Sequence, residues 1–135
     1  MESQAHIDLV KRVFEYSKRI VPKNTTDLIQ VDSDGKHCGF RTSNNYIPDI
    51  FYEFDGLMII GEAKTLDDFE RKHSFSQYED YIETCKYYSG KSVLVIGVPW
   101  QLVVKAKNYF KLIKRRERVE IDVVIVNELG KEYKV

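Results

Sequence analysis

Residues 48–64, PDIFYEFDGLMIIGEAK, constrain the fold of this chain more than any other stretch. Asp55-Gly56 lies between two runs rich in β-branched and aromatic residues, and Asp-Gly is favoured in two-residue type I′ turns because both central positions need positive φ. A turn of that length fixes the register: residue 54 pairs with 57, and every cross-strand pair has numbers adding to 111. Asp49 then stands opposite Glu62, with Cβ atoms roughly 4.5–5.5 Å apart. Like charges so placed repel, so a cation should sit between them. Alternation puts Lys64 on the face of Glu62, while Ala63 turns its side chain away and leaves its backbone carbonyl near the same point. Two carboxylates and a carbonyl are hard ligands suited to Mg²⁺. A longer turn would shift the register and part the two acids, leaving ordinary solvated strand-end carboxylates.

The rest of the chain supplies helices and strands around this hairpin. Residues 3–21 place Ile7, Val10, Val13, Phe14, Ser17, Ile20 and Val21 on one helical face that stops at Pro22. Residues 28–42 hold short apolar stretches around DSDG, which predicts a first strand or hairpin, and SNNYIP is a polar loop. Residues 65–90 carry helix signals, with capping pairs Thr65/Asp68 and Ser74/Gln77 and a stop at Gly90. SVLVIGVPW reads as a buried strand, a third helix covers about 102–118, and IDVVIVNE is a last strand. The predicted order is helix, three strands, helix, strand, helix, strand: an α/β fold with a mixed sheet flanked by helices, in a single domain over 1–135.

Charge is unevenly spread. Between residues 47 and 85 there are ten acids against three bases, whereas between 86 and 119 there are nine bases and Glu117 alone is acidic. An acidic site beside a phosphate-binding surface would give this asymmetry, and so would helix faces that are merely solvated. The charged start of the chain and the shortness of its longest apolar run, residues 93–100, predict a cytoplasmic protein with no membrane association. Cys38 and Cys85 lack the spacing of a zinc site or a disulfide framework; both are expected reduced, and Cys85 buried.

Pro48-Asp49 followed by Glu62-Ala63-Lys64 resembles the PD-(D/E)xK nuclease superfamily, and Gln77 with Tyr81 is similar to the QxxxY element of its RecB-type branch. The order of these motifs looks most like the small VRR-type nuclease domains. The resemblance implies a restriction-endonuclease-like αβββαβ core and hydrolysis of DNA phosphodiesters with Mg²⁺, for which Mn²⁺ could substitute. It implies a catalytic set of Asp49, Glu62, Lys64 and Gln77, with Asp49, Glu62 and the Ala63 carbonyl as metal ligands. Many members carry a further acid on the first helix. Glu2 and His6 project beside that helix's apolar stripe and Glu15 points away, which makes Glu2 the candidate. Lys64 would orient water or offset phosphate charge, or it forms a simple salt bridge to Glu62.

Other residues carry two readings. Tyr81 shares a helical face with Gln77 but also belongs to a core stripe with Tyr78, Ile82, Cys85 and Tyr88. Arg41, Ser43 and Asn44 have donors of the kind that contact phosphates, as turn residues also do. Lys107, Lys111 and Lys114 line one side of the third helix, where they either track a nucleic-acid backbone or are solvated. His73 is expected to be exposed. The leading function is a Mg²⁺-dependent nuclease with little intrinsic sequence specificity, or specific for DNA structure. The alternatives are a catalytically silent nucleic-acid-binding or assembly module, or a nuclease subunit needing a protein partner. A homodimer is a further expectation, since cutting two strands usually takes two sites.

Overall fold

In the computed structural model, residues 2–33, 36 and 38–135 are described. The central hairpin forms as its turn chemistry requires. Asp55 and Gly56 take φ of 51° and 81°, and β2 (Ile50–Phe54) and β3 (Leu57–Ala63) pair from Phe54↔Leu57 to Ile50↔Gly61. A short β1 (Gln30–Val31) flanks β2 on its other side. Beyond β1, Ser33 and Lys36 form an isolated antiparallel bridge, with both backbone hydrogen bonds made; the Asp34 and Gly35 of the expected turn lie outside the described residues.

Two parallel strands follow, β4 (Lys91–Gly97) and β5 (Asp122–Val126), and the sheet ends at β6 (Glu132–Lys134), antiparallel to β5. The six strands lie in sequence order. The three-residue β6 adds to the elements read from the sequence. Its entry turn rests on the Asn127 side chain, whose Oδ1 accepts from Leu129 N (2.9 Å) and Lys131 N (3.0 Å), and Gly130 supplies φ of 83°.

Among the described residues three α-helices cover the sheet. On one face lies α1 (Gln4–Ile20), capped by the Ser3 hydroxyl, which accepts from His6 N at 3.2 Å. Its Leu9, Val10, Val13 and Tyr16 pack on Ile50, Tyr52, Ile59, Val93, Val95 and Val124. Gly61 and Gly97 permit the close approach: a Cβ built on Gly61 would lie 2.5 Å from Val13 Cγ1, and one on Gly97 2.8 Å from Val13 Cγ2. The opposite face is covered by α2 (Lys72–Tyr87) and α3 (Val103–Glu117), which connect the parallel strands and meet Phe51, Met58, Ile60, Leu94, Ile96 and Val123. The result is a three-layer α/β fold with a mixed sheet between helices. Among the described residues no helix is long and apolar enough to cross a membrane.

The helix boundaries depart from expectation in one informative place. The segment from Thr65 forms its own turn, with Asp68 N donating to Thr65 O and Thr65 Oγ1 donating to Asp68 Oδ2, and α2 begins only at Lys72. Ser74 does not cap it; its hydroxyl donates to Asp68 O at 2.6 Å and ties that turn to the helix. This frees Gln77 from a capping role and leaves its side chain for the sheet.

Candidate active site

The sheet end where β3 and β4 finish and β2 begins is the place where charges enter the core. Asp49, Glu62, Lys64 and Gln77 are each no more than 8% exposed. Burying four polar side chains together costs free energy unless each finds a partner. They do so in two linked groups, one on each side of the β2–β3 end.

The first group centres on Asp49. One step past the Ile50↔Gly61 pair, its Oδ2 accepts from Ala63 N at 2.9 Å and lies 3.2 Å from His6 Nε2. The other imidazole nitrogen is 3.4 Å from Glu2 Oε1, yet it is buried and has no aligned hydrogen-bond partner. One ligand atom each from Glu2, His6 and Asp49 lie within 4.8 Å of one another. Glu2 precedes the Ser3 cap and lies outside α1, so the acid expected on the first helix reaches His6 from the extended residues ahead of it. The Asp49 hydrogen bond holds the His6 pKa above 6.5 against the lowering effect of burial, and the charges of Asp49, Glu2 and Glu62 add to the rise. In extended backbone the N–H and C=O of one residue point to the same side. The Ala63 carbonyl therefore faces the β2 side, where Asp49 lies.

The second group centres on Glu62. Its Oε1 accepts from the Tyr81 hydroxyl at 2.8 Å and its Oε2 is 3.6 Å from Lys64 Nζ, while Lys64 Nζ donates to Gln77 Oε1. Burial, and next the nearby Asp49 carboxylate, push the Glu62 pKa up to about 8, with Lys64, the Tyr81 hydroxyl and His6 acting in the other direction. Tyr81 is itself raised, by burial and then by the Glu62 charge.

The structure therefore distributes the expected ligand set. Asp49 and Glu62 are close enough to perturb each other, but Asp49 joins Glu2 and His6 whereas Glu62 is turned to Tyr81, Lys64 and α2. Gln77 reaches Lys64, one helical turn from Tyr81. The residue that sequence reasoning did not assign is His6. Its signal was the i, i+4 spacing from Glu2, which gains meaning only when α1 lands beside Asp49.

The residues expected to touch nucleic acid fare differently. Tyr81 is fully buried and acts on Glu62, so it has no surface to offer a nucleic acid. Ser43 and Asn44 are tied to the buried carboxylate of Asp80 on α2, through Ser43 Oγ (3.2 Å), Asn44 N (3.3 Å) and Asn44 Nδ2 (2.9 Å). Those donors hold the loop down. Arg41 is exposed and reaches Asn45 Oδ1 at 3.5 Å. Lys107 lies over the Tyr133 ring of β6, Lys114 donates to Val135 O and Lys111 is exposed. The lysine stripe thus runs along the β6 edge, three strands from β3 and away from Asp49. His73 is exposed in the first turn of α2, and Cys38 and Cys85 are buried free thiols, both pushed up to about 12 mainly by burial.

No family model, no curated protein and no solved structure matches the chain.

Proposed function

We propose that the chain is a divalent-metal-dependent nuclease that hydrolyses DNA phosphodiesters, with the restriction-endonuclease-like arrangement of the PD-(D/E)xK superfamily. One observation carries the reading: Asp49, the Glu62/Lys64 pair and Gln77, drawn from the β2 and β3 ends and from α2, are buried together at one sheet end, where a fold needing only stability would place apolar side chains.

The donor set suits the metal. Carboxylates of Asp49 and Glu2, the backbone oxygen of Ala63 and, after a small reorientation, Glu62 are hard ligands for Mg²⁺, and the imidazole of His6, set between Glu2 and Asp49, adds a nitrogen donor that Mn²⁺ accepts more readily. When bound, such an ion would polarise the scissile phosphate and lower the pKa of an attacking water. The chain's own groups have separate tasks. Lys64 presents its ammonium group to the place where negative charge grows on the phosphate, and Gln77 holds that ammonium group in position. Tyr81 fixes the Glu62 carboxylate by its hydroxyl. The Ala63 N–H orients Asp49.

The test is cleavage of supercoiled, linear, single-stranded and branched DNA in Mg²⁺ or Mn²⁺ by the wild-type protein beside Lys64→Ala and Asp49→Asn. Metal-dependent cleavage by the wild type, lost in both variants, is expected. Indistinguishable behaviour of the three proteins on every substrate, with equal and chelator-insensitive DNA binding, would instead identify a silent binding or assembly module.

A further inference from the structure

A second cleft opens beside the hairpin, on the face of the sheet that α2 covers. It holds about 730 Å³, within the range of small-ligand clefts. Its walls are the loop at 39–43, the hairpin at Phe51, Glu53 and Met58, and the last turn of α2. Met58 precedes Lys64 by six residues of extended chain, about 20 Å, so the cleft lies well back from the candidate active site. Four aromatic side chains enter the lining: Phe40, Phe51, Tyr87 and Tyr88. Phe40 is stacked flat on Phe51 with ring centres 4.1 Å apart, and Tyr87 is 74% exposed.

The electrostatics of this cleft favour a cation. Glu53 and Glu83 bring two carboxylates to the lining, and Glu53 Oε2 accepts from the Tyr88 hydroxyl at 3.0 Å. Neither acid makes an ion pair among the described residues. The carbonyl end of α2 forms one wall, and the negative end of a helix dipole favours positive charge. Aromatic rings attract cations through their quadrupoles. The lining holds one base, Arg41, whose Nη1 donates to Asn45 Oδ1 at 3.5 Å, a residue outside the lining. Lys86, in the last turn of α2, stands 5.7 Å from the Tyr87 ring centre without lining the cleft.

The backbone beside the cleft indicates what carries that cation. In a two-residue hairpin Phe54 and Leu57 exchange both hydrogen bonds, and alternation turns Tyr52 and Ile50 toward β3 as well, so Phe51 and Glu53 direct their N–H and C=O to the other side. Phe51 meets Gln30 there. Leu28, which the register would set opposite Glu53, belongs instead to the 3-10 turn Lys23–Leu28, and β1 does not reach Glu53. An open edge of this kind is a template for an extended chain. Directly opposed residues project to the same face, so a peptide residue opposite Glu53 sends its side chain into the cleft beside the Glu53 carboxylate. We propose that the cleft seats a lysine or arginine side chain of a partner protein, carried on an extended segment that adds to the hairpin at Glu53. This surface stands apart from the nuclease reading and uses none of its residues.

The test is NMR titration of the ¹⁵N-labelled full chain with the capped peptide Thr-Val-Lys-Val-Thr and with analogues carrying arginine, norleucine or glutamate in place of the lysine. Saturable shifts of the Gln30, Glu53, Thr84 and Tyr87 amide signals are expected with the lysine and arginine peptides. The norleucine peptide, which keeps the stem and lacks the charge, should bind about fivefold more weakly or less, and the glutamate peptide not at all. Glu53→Gln and Tyr87→Ala should each weaken the lysine peptide by about threefold or more; both side chains are exposed, and unmoved amide signals elsewhere will show the variants folded. Equal affinities of the lysine and norleucine peptides, or of the wild type and both variants, overturn the assignment, as does an absence of saturable shifts at millimolar peptide. Shifts centred instead on Asp8 and Asp67 would place the basic segment elsewhere and overturn it too. Each of these failures leaves the nuclease reading standing, since that reading is decided by metal-dependent cleavage.

Discussion

Gly97→Ala is a sharp test of how the site is assembled, because α1 carries His6, with Glu2 just ahead of its cap, and is seated over that glycine. The added Cβ would lie 2.8 Å from Val13 Cγ2, 3.4 Å from Leu9 O and 3.7 Å from Ala63 Cβ. Carbon atoms rest comfortably about 3.5–4.0 Å apart, so the helix must retreat by about an ångström or Val13 must leave its rotamer. Overpacking of this kind costs about 1–3 kcal/mol. Gly97 has no positive φ, so alanine also gains about 0.4–1 kcal/mol by restricting the unfolded chain. The net expectation is a loss of about 1–2 kcal/mol. Val13→Ala alone removes two buried methyl groups, worth about 1.5 kcal/mol in transfer free energy before any cavity term. In the double variant the clash is gone, and its cost should fall short of the sum of the single costs by about 1 kcal/mol or more. Urea denaturation of the four proteins measures this. In Gly97→Ala, withdrawal of α1 should also let the His6 pKa, followed by NMR, fall toward 6.5. Full additivity, or a Gly97→Ala protein as stable as the wild type with His6 unchanged, would refute the claim that Val13 against Gly97 sets the height of the helix.

Further outcomes follow from single groups. Glu62 has its folded pKa raised to about 8 from a usual 4.5, so its contribution to stability is fully present below 4.5 and is lost as pH rises through about 8; His6, raised above 6.5, has the same sign. The metal-free protein should therefore unfold more easily at pH 9 than at pH 6, with each titrating proton contributing at most about 1.4 kcal/mol per pH unit, and Glu62→Gln should flatten the profile measured by urea midpoints. Asp80→Ala removes the acceptor of Ser43 and Asn44; a loss of about 1.5–3 kcal/mol and faster proteolysis within residues 41–46 are expected, and unchanged cleavage would count against the anchoring role. Arg118 ends α3 at φ 54° and ψ 46°, a conformation that costs a non-glycine residue about 1–2 kcal/mol, so Arg118→Gly should raise the thermal midpoint.

The candidate site was partly legible in the sequence because its most local piece is a turn. Asp55-Gly56 accepts the two positive φ values that a two-residue hairpin needs, and once the turn is fixed, alternation decides which residues of β2 and β3 oppose each other. Pro22 likewise bounds α1 by chemistry within a few residues, and Glu62 and Lys64 share a face simply because they are two apart. None of this needs knowledge of the rest of the chain.

What only the tertiary structure decided is which distant side chains complete those local pieces. Whether His6 meets Asp49 depends on how low α1 sits, and that height is set by Val13 over Gly61 and Gly97, a packing fit between segments far apart in sequence. Gln77 reaches Lys64 because α2 starts at Lys72, between the Thr65/Asp68 and Ser74/Gln77 pairs, with the Ser74 hydroxyl donating to Asp68 O of the preceding turn and Gln77 inside the helix facing the sheet. Ser43 and Asn44 look like phosphate donors in isolation and become loop anchors once Asp80 is buried beneath them. Local sterics and turn geometry are encoded residue by residue, whereas the partner of a buried polar group is selected by whichever arrangement leaves the fewest such groups unsatisfied across the whole fold.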